Sequence, residues 1–473
     1  MRWTDFAEWG RRVSDWAADY HQTLRDRPVR AQTKPGAVAA ALPANPPDKA
    51  EPMEAIFADF ETLVMPGITH WQHPRFFAYF PANAAPASVL AEYLVSTVAP
   101  QCMLWQTSPA ATEMETVMLD WLRQAVGLPD GFSGVIQDSA SSATLAAVLT
   151  MREKALSWEG NKAGLAGQSP LRIYCSREVH TSIDRAIWIS GIGEANLRRI
   201  ETTGKNRGMD PRALDAAIRE DIEAGFRPAG VIGCIGGTSV GAMDHLSAII
   251  PVARAHGLYV HVDAAWAGAA MICPEFRHFW KGVEDADSVV FNPHKWLGAQ
   301  FDCSIQFLRD PGPQIQSMGL RPDYLQTPGT DEIVNYNEWT LPLGRRFRAL
   351  KLWFLLRSEG LAGLRARIRN HVAWSGALSE RLRGEPDFEI VTDPVLSLFS
   401  FRYRRDGTDP DALNLALVQA INDDGRIYLT QSRIDGKLVI RFTVGQFEAT
   451  EDDVKTAGDI ILEIARKLET PND

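Results

Sequence analysis

Residues 258–268, Leu-Tyr-Val-His-Val-Asp-Ala-Ala-Trp-Ala-Gly, and residues 288–296, Ser-Val-Val-Phe-Asn-Pro-His-Lys-Trp, open with apolar runs, Leu258–Val262 and Ser288–Phe291, and each carries a charged side chain just beyond its run. Short continuous apolar runs bounded by polar residues read as strands buried on both faces, as in a parallel sheet covered by helices. Ligands of open α/β sheets gather beyond the carboxyl ends of the strands. Asp263 and Lys295 stand at such ends.

Similar runs occur at Gly134–Ile136, Leu171–Cys175, Gly230–Ile235 and Cys303–Phe307, with helix patterns over Ala87–Ser96, Ala111–Val126 and Ala143–Ser157. The alternation predicts an α/β domain around a mainly parallel sheet. Ahead of it, Phe6, Trp9, Val13, Trp16 and Tyr20 recur at spacings of three and four, one face of a helix. That stripe requires a cover, either its own domain or a partner subunit. Five prolines between residues 31 and 53 predict a connector, and a second helix is expected over Met53–Val64. Residues 312–340, rich in Pro, Gly, Gln, Asn and Asp, predict a long functional loop. A helical run, Arg345–Ser358, and a terminal part with strands at Val395–Arg402 and Lys437–Thr443 complete the chain.

With 473 residues, about three domains are expected. A net charge of -10 argues against a nucleic-acid binder, whose surface must neutralise phosphates. No run approaches the ~18 apolar residues of a membrane span, and the charged start, MRWTDFAEWGRRVSDW, predicts no secretory signal. Five scattered cysteines without a CxxC pair form neither a disulfide framework nor a metal site, so reduced thiols in a cytoplasmic protein are expected. The phosphate-binding patterns GxxxxGK[ST] and strand-linked GxGxxG are both missing from the sequence.

The chemistry rests on three elements. Lys295 is one of only eleven lysines among 49 basic residues, and a lysine in a partly desolvated pocket becomes a nucleophile suited to a Schiff base. Asp263, at the end of an apolar run, requires a cation or donor, which a protonated pyridine nitrogen would supply. Gln137-Asp-Ser-Ala-Ser-Ser-Ala-Thr144 opens a helix with small hydroxylated residues, a cup for a phosphate or an ordinary cap. Together they match the needs of pyridoxal 5'-phosphate.

On these residues the chain resembles the group II pyridoxal-phosphate amino-acid decarboxylases, most closely the aromatic L-amino-acid decarboxylases. The resemblance runs from about residue 5 to 450. It is carried by HPRFFAYFP (73–81), SPAATEMETVMLDWL (108–122), SASSATLAAV (139–148), the VHTSIDRA around His180, GGTS (236–239), HVDAAWAGAAMICPEFR (261–277), NPHKWLGAQFDCS (292–304) and LPLGRRFRALKLWF (341–354). It implies the aspartate-aminotransferase fold (type I): a seven-stranded mainly parallel sheet in a large domain, with an N-terminal helical segment and a small α+β C-terminal domain. The parts expected are 1–85, packing on the partner of a homodimer with shared active sites; 86–355, binding the cofactor and carrying the 312–340 loop; and 356–473.

The resemblance also implies roles. Lys295 is the Schiff-base lysine, Asp263 the partner of the pyridinium nitrogen, and His180 the imidazole stacked on the ring. Ser139, Ala140, Ser141, Asn292 and His294 form the phosphate shell, while Thr238 and Ala265 also contact the cofactor. Tyr324 in the loop is the proton donor to Cα, a role open to a phenol of pKa ~10 that stays protonated at neutral pH. Trp71, Tyr79, Phe80, Pro81, Ala82, Met103, His180 and Gly344 line the substrate pocket. The implied reaction is decarboxylation of an aromatic L-amino acid (tryptophan, 5-hydroxytryptophan, Dopa, tyrosine or phenylalanine) to the arylalkylamine. Alternatives are decarboxylation of glutamate or diaminobutyrate, aldehyde synthesis, and transamination with Arg441 gripping the carboxylate. Ala82 and Gln101 depart from the larger or more apolar residues of animal relatives, which leaves the preferred ring open.

Overall fold

The computed structural model describes residues 2–320 and 333–468. They fall into two compact units: a sheet unit, Ala82–Ala373 with Pro394–Phe399, and a terminal unit, Met1–Pro81, Trp374–Asp393 and Ser400–Asp473.

The sheet unit carries strands β1 Ser133–Gln137, β2 Leu171–Ser176, β3 Leu197–Ile200, β4 Arg227–Cys234, β5 Tyr259–Asp263, β6 Ser288–Phe291 and β7 Ser304–Leu308. They form one sheet in the order β1–β7–β6–β5–β4–β2–β3. Every neighbouring pair is parallel except those of β7, which runs antiparallel to β1 and β6. The seven-stranded, mainly parallel sheet is therefore present, and the carboxyl ends of β1, β2, β4, β5 and β6 share one edge with the start of β7. Valine and isoleucine dominate the inner strands, which are buried along nearly their whole length because helices cover both faces. Among the described residues, no helix is long and apolar enough to cross a membrane.

Helices α1 Trp3–Gln22 and α2 Met53–Asp59 belong to the terminal unit; α3 Pro86–Val98, α4 Pro109–Val126, α5 Ala140–Ala155 and α6 Ser182–Ile189 belong to the sheet unit. Pro86 and Pro109 open α3 and α4, where a missing N–H costs nothing. In the terminal unit, Trp16 packs edge-on against Phe57 and Phe60 at 6.3 and 5.1 Å, yet no residue of α1 is fully buried. A four-stranded sheet, β8 Phe388–Val395, β9 Leu398–Tyr403, β10 Thr430–Ile434 and β11 Lys437–Thr443, runs in the order β8–β9–β11–β10, with most of its residues in the terminal unit.

Several boundaries differ from the sequence reading. The edge strand β3, Leu-Arg-Arg-Ile, lacks an apolar run because one of its sides is open. Val395–Arg402 is two strands, separated by a turn in which Leu396 takes a φ of 54°. The helical run begins at Ala349 rather than Arg345 and continues to Arg383 across a break at Gly360, φ 62°. The expected loop 312–340 contains a helix at Gly312–Met318 and a 3-10 turn at Tyr336–Trp339, because Gln314 and the Trp339 carbonyl are held in a buried amide network.

Candidate active site

Lys295 lies in a tight turn, Pro293–Leu297, immediately after β6, and Asp263 is the last residue of β5 beside it. The turn is fixed on all sides. Lys295 N–H donates to the Asn292 carbonyl at 2.9 Å, and Asn292 N–H donates to the Ala265 carbonyl at 2.9 Å. The Asn83 side-chain amide donates to the Lys295 carbonyl at 2.7 Å. Asp263 is 6% exposed, and its Oδ1 accepts the Ala265 N–H at 3.0 Å. Its second oxygen has no hydrogen-bond partner among the described residues, an arrangement that costs free energy unless a cation completes it.

His180 follows β2 at the same edge. The Ser182 N–H donates to its Nδ1 at 3.1 Å, which puts the ring proton on Nε2 and fixes the imidazole's orientation. Burial lowers its pKa below the ordinary value; the Asp263 carboxylate pulls the other way, and the Lys295 ammonium adds to the lowering. These influences bring Lys295, Asp263 and His180 into one site. Ala265 packs beside Ala140, Ala143 and Val290, so a small side chain, not a bulky one, faces the site from the β5 turn.

Ser139 caps α5. Its Oγ accepts the Ser142 N–H at 3.2 Å and donates to Asp138 Oδ1 at 2.9 Å. The N–H groups of Ala140 and Ser141, in the first helical turn, have no intrahelical acceptor and lie at the positive end of the helix dipole. Asn292 Oδ1 accepts the Ser304 hydroxyl at 2.6 Å, which leaves the carboxamide NH2 to donate. The Cys303 N–H donates to His294 Nδ1 at 2.9 Å, so this ring too carries its proton on Nε2; burial, reinforced by the Lys295 charge, drives its pKa to about 3. Thr238 follows β4 in the turn after Gly236, where φ is 84° and a Cβ would stand 2.6 Å from that of Ala267. The sheet unit thus gathers Lys295, Asp263, His180, Ser139, Ala140, Ser141, Thr238, Ala265, Asn292 and His294 along one edge.

The second buried lysine, Lys351, is different. Its ammonium meets Glu92 at 2.7 Å and the Gln300 carbonyl at 3.0 Å, which holds it as a structural cation.

Not every expected residue belongs to this unit. Ala82, Met103 and Gly344 do; Trp71, Tyr79, Phe80 and Pro81 lie in the terminal unit. There Trp71 stacks on Tyr79 with ring centres 5.7 Å apart, and the Arg441 guanidinium sits 5.3 Å from the Phe80 ring centre. Arg441 is 4% exposed and donates to Thr430 Oγ1 at 3.4 Å; burial lowers its pKa to about 10. Tyr324 lies outside the described residues. Asn83 escaped the sequence reading, although a lone amide in the small apolar run Pro-Ala-Asn-Ala-Ala-Pro was a signal. So did the buried Arg345–Glu115 pair, 230 positions apart, and the buried amide network of Gln137, Gln306 and Gln314.

Residues 35–404 match the pyridoxal-dependent decarboxylase conserved domain. The chain belongs to the pyridoxal-dependent decarboxylases. It is 39% identical to the aromatic-L-amino-acid decarboxylase of Rattus norvegicus, over 98% of each chain. It is 37% identical to the phenylacetaldehyde synthase of Arabidopsis thaliana, over 98% of this chain and 96% of that one. A crystal structure of Oryza sativa TDC with PLP and tryptamine superposes with a TM-score of 0.96 at 34% identity, covering 99% of both chains.

This pyridoxal-dependent decarboxylase is a lyase of the aromatic amino-acid decarboxylase and aldehyde synthase group, and its cofactor is pyridoxal 5'-phosphate. The residues present fit that group: a buried carboxylate at a strand end suits a pyridinium, a hydroxyl-rich helix start suits a phosphate, and a lysine in the turn after the neighbouring strand suits an aldehyde.

Proposed function

We propose that the chain decarboxylates an aromatic L-amino acid to the arylalkylamine and CO2. The observation that carries this reading is the convergence of Lys295, Asp263 and His180 at one sheet edge, beside the cap of α5. Lys295 would hold the cofactor aldehyde, Asp263 the ring nitrogen, and Ser139, Ala140, Ser141, Asn292 and His294 the phosphate, with Thr238 and Ala265 against the ring system. When bound, the cofactor captures the substrate amine and takes up the electrons released at Cα. Asp263 would pair with the ring nitrogen and favour its protonated form. His180 would offer its imidazole face to the cofactor, with Nε2–H left to donate. Together these residues would orient the substrate for loss of its carboxylate. The Tyr324 phenol then delivers a proton to Cα.

Trp71, Tyr79, Phe80, Pro81, Ala82, Met103 and Gly344 are assigned to the substrate's aromatic ring. Relatives at 37–39% identity are named for aromatic substrates, which favours these over glutamate or diaminobutyrate. A homodimer with shared active sites is the proposed assembly. In support, Leu90, Tyr93, Leu94 and Val98 of α3 are 43–73% exposed, an apolar face that a second copy would cover. The N-terminal residues 1–85 would clasp that copy. The five buried, unpaired cysteines accord with a cytoplasmic location.

A second reading, aldehyde formation, is favoured by the similarity to a phenylacetaldehyde synthase. Tyr324 decides between them, since relatives with phenylalanine there tend toward oxidative deamination. Incubating the holoenzyme with a panel of L-amino acids and quantifying amine, CO2, aldehyde and peroxide tests the reading. Aromatic amines with equimolar CO2 are expected; aldehyde with peroxide, or no turnover of any aromatic amino acid, would overturn it.

A further inference from the structure

The loop that follows the lysine turn orients His294. The chain reverses at Gly298, φ 108°, and returns until the Cys303 N–H donates to His294 Nδ1 at 2.9 Å and the Cys303 carbonyl accepts the His294 N–H at 3.2 Å. The Phe301 ring lies against the imidazole, with ring centres 4.7 Å apart. The direction of His294 Nε2–H is therefore set by where residues 298–303 stand. Gln300, within that loop, is held at three atoms. Its N–H donates to Ser88 Oγ at 2.7 Å, and its carbonyl and Oε1 accept from Lys351 Nζ at 3.0 and 3.1 Å.

Lys351 is fully buried, and its ammonium also meets Glu92 Oε1 at 2.7 Å, which accounts for its three donors. Burying an ammonium is costly, and a well-packed apolar side chain in its place is often as stable. Stability alone therefore does not explain a lysine here. What an apolar residue cannot supply is a fixed position for two oxygens of Gln300. The surroundings also carry charge: the cations Lys351, Arg346 and Arg348 pair with only the two carboxylates Glu92 and Asp302. The excess is positive and close to His294, which burial and Lys295 keep neutral and on which Lys351 also acts. Such a field favours a phosphate dianion.

We propose that Lys351 is a positioning residue for the cofactor's phosphate: through Gln300 it fixes the loop that aims His294. This inference rests on the assignment of His294 to the phosphate in the proposed function.

The test titrates the full-length apoenzyme with pyridoxal 5'-phosphate and, separately, with pyridoxal, which has the same aldehyde and ring nitrogen but no phosphate. The quantity read is the ratio of the two affinities. Lys351→Met is expected to lower that ratio about tenfold, by weakening pyridoxal 5'-phosphate alone. Ser88→Ala, a milder change that frees Gln300 at its N–H, is expected to lower it about threefold, and carries the same test should Lys351→Met not fold. A ratio unmoved in the folded variants, whether both ligands weaken alike or neither does, overturns the inference while leaving the cofactor site in place. A wild type that binds pyridoxal 5'-phosphate no more tightly than pyridoxal removes the phosphate assignment of His294 itself.

Discussion

The side-chain amide of Asn83 donates to the Lys295 carbonyl at 2.7 Å, and its main-chain N–H donates to the His294 carbonyl at 3.1 Å. One buried side chain thus holds the turn that aims the candidate Schiff-base lysine. Asn83→Ala deletes the side-chain bond and leaves a carbonyl unmet, a loss of about 1–3 kcal/mol. Because the loss falls on the lysine turn, cofactor affinity is expected to drop about tenfold or more, with the thermal midpoint of the apoenzyme little changed. Titration of apoenzyme with pyridoxal phosphate, followed in the visible region, checks this. Unchanged affinity would show that the turn holds itself.

Arg345 and Glu115 meet at 2.6 Å with both side chains almost fully buried. Glu115 also accepts the Ile136 N–H at 2.9 Å, so the pair clamps the end of β1 to the segment bearing Gly344. Removing one partner strands a charge in the interior. Glu115→Ala is expected to cost about 3–5 kcal/mol, and Glu115→Leu with Arg345→Met together less than the sum of the single changes. Denaturant midpoints of the single and double variants measure the coupling; strict additivity would contradict it.

Burial holds His73, His261, His294 and His371 at pKa values of about 3, 4, 3 and 3. In the unfolded chain each returns to about 6.5. Their contribution to stability is complete above that pH and is lost as the pH falls, because the unfolded chain takes up protons first. Each contributes a slope of up to about 1.4 kcal/mol per pH unit. Asp244 opposes them. It accepts the Met209 and Cys234 N–H groups, but burial raises its pKa to about 6, so the folded state gains a proton there first. Four groups outweigh one, and the thermal midpoint is expected to fall between pH 6.5 and 5. A midpoint that rises over that interval would contradict the buried, neutral imidazoles.

Tyr324→Phe is expected to retain the cofactor's absorbance and lose most amine formation, with aldehyde and peroxide rising if the phenol is the proton donor. Product analysis by chromatography reads this directly. An unchanged amine yield would remove Tyr324 from the reaction.

The sequence made legible what depends on local apolar runs. Ser288–Phe291 and Lys437–Thr443 are strands with the bounds read from them, since a buried strand and its polar ends are both written in the chain. Asp263 and Lys295 were visible because charges at the ends of such runs demand a reason. What stayed hidden depends on pairing across long separations. Gln137, Gln306 and Gln314 look like surface amides, yet they bond one another and the Trp339 carbonyl inside the sheet unit. The helix at Gly312–Met318 was hidden by the same cause, since turn-forming composition says nothing of a buried amide that fixes it. Asn83 reads as a turn residue until its partner, more than two hundred positions away, is known.

The most direct test of the account is reduction of the holoenzyme with borohydride, followed by peptide mapping. A phosphopyridoxyl group attached to Lys295, with loss of the visible band on reduction, is the predicted result. Label on Lys351 or any other lysine, or no label after saturation with the cofactor, would contradict it.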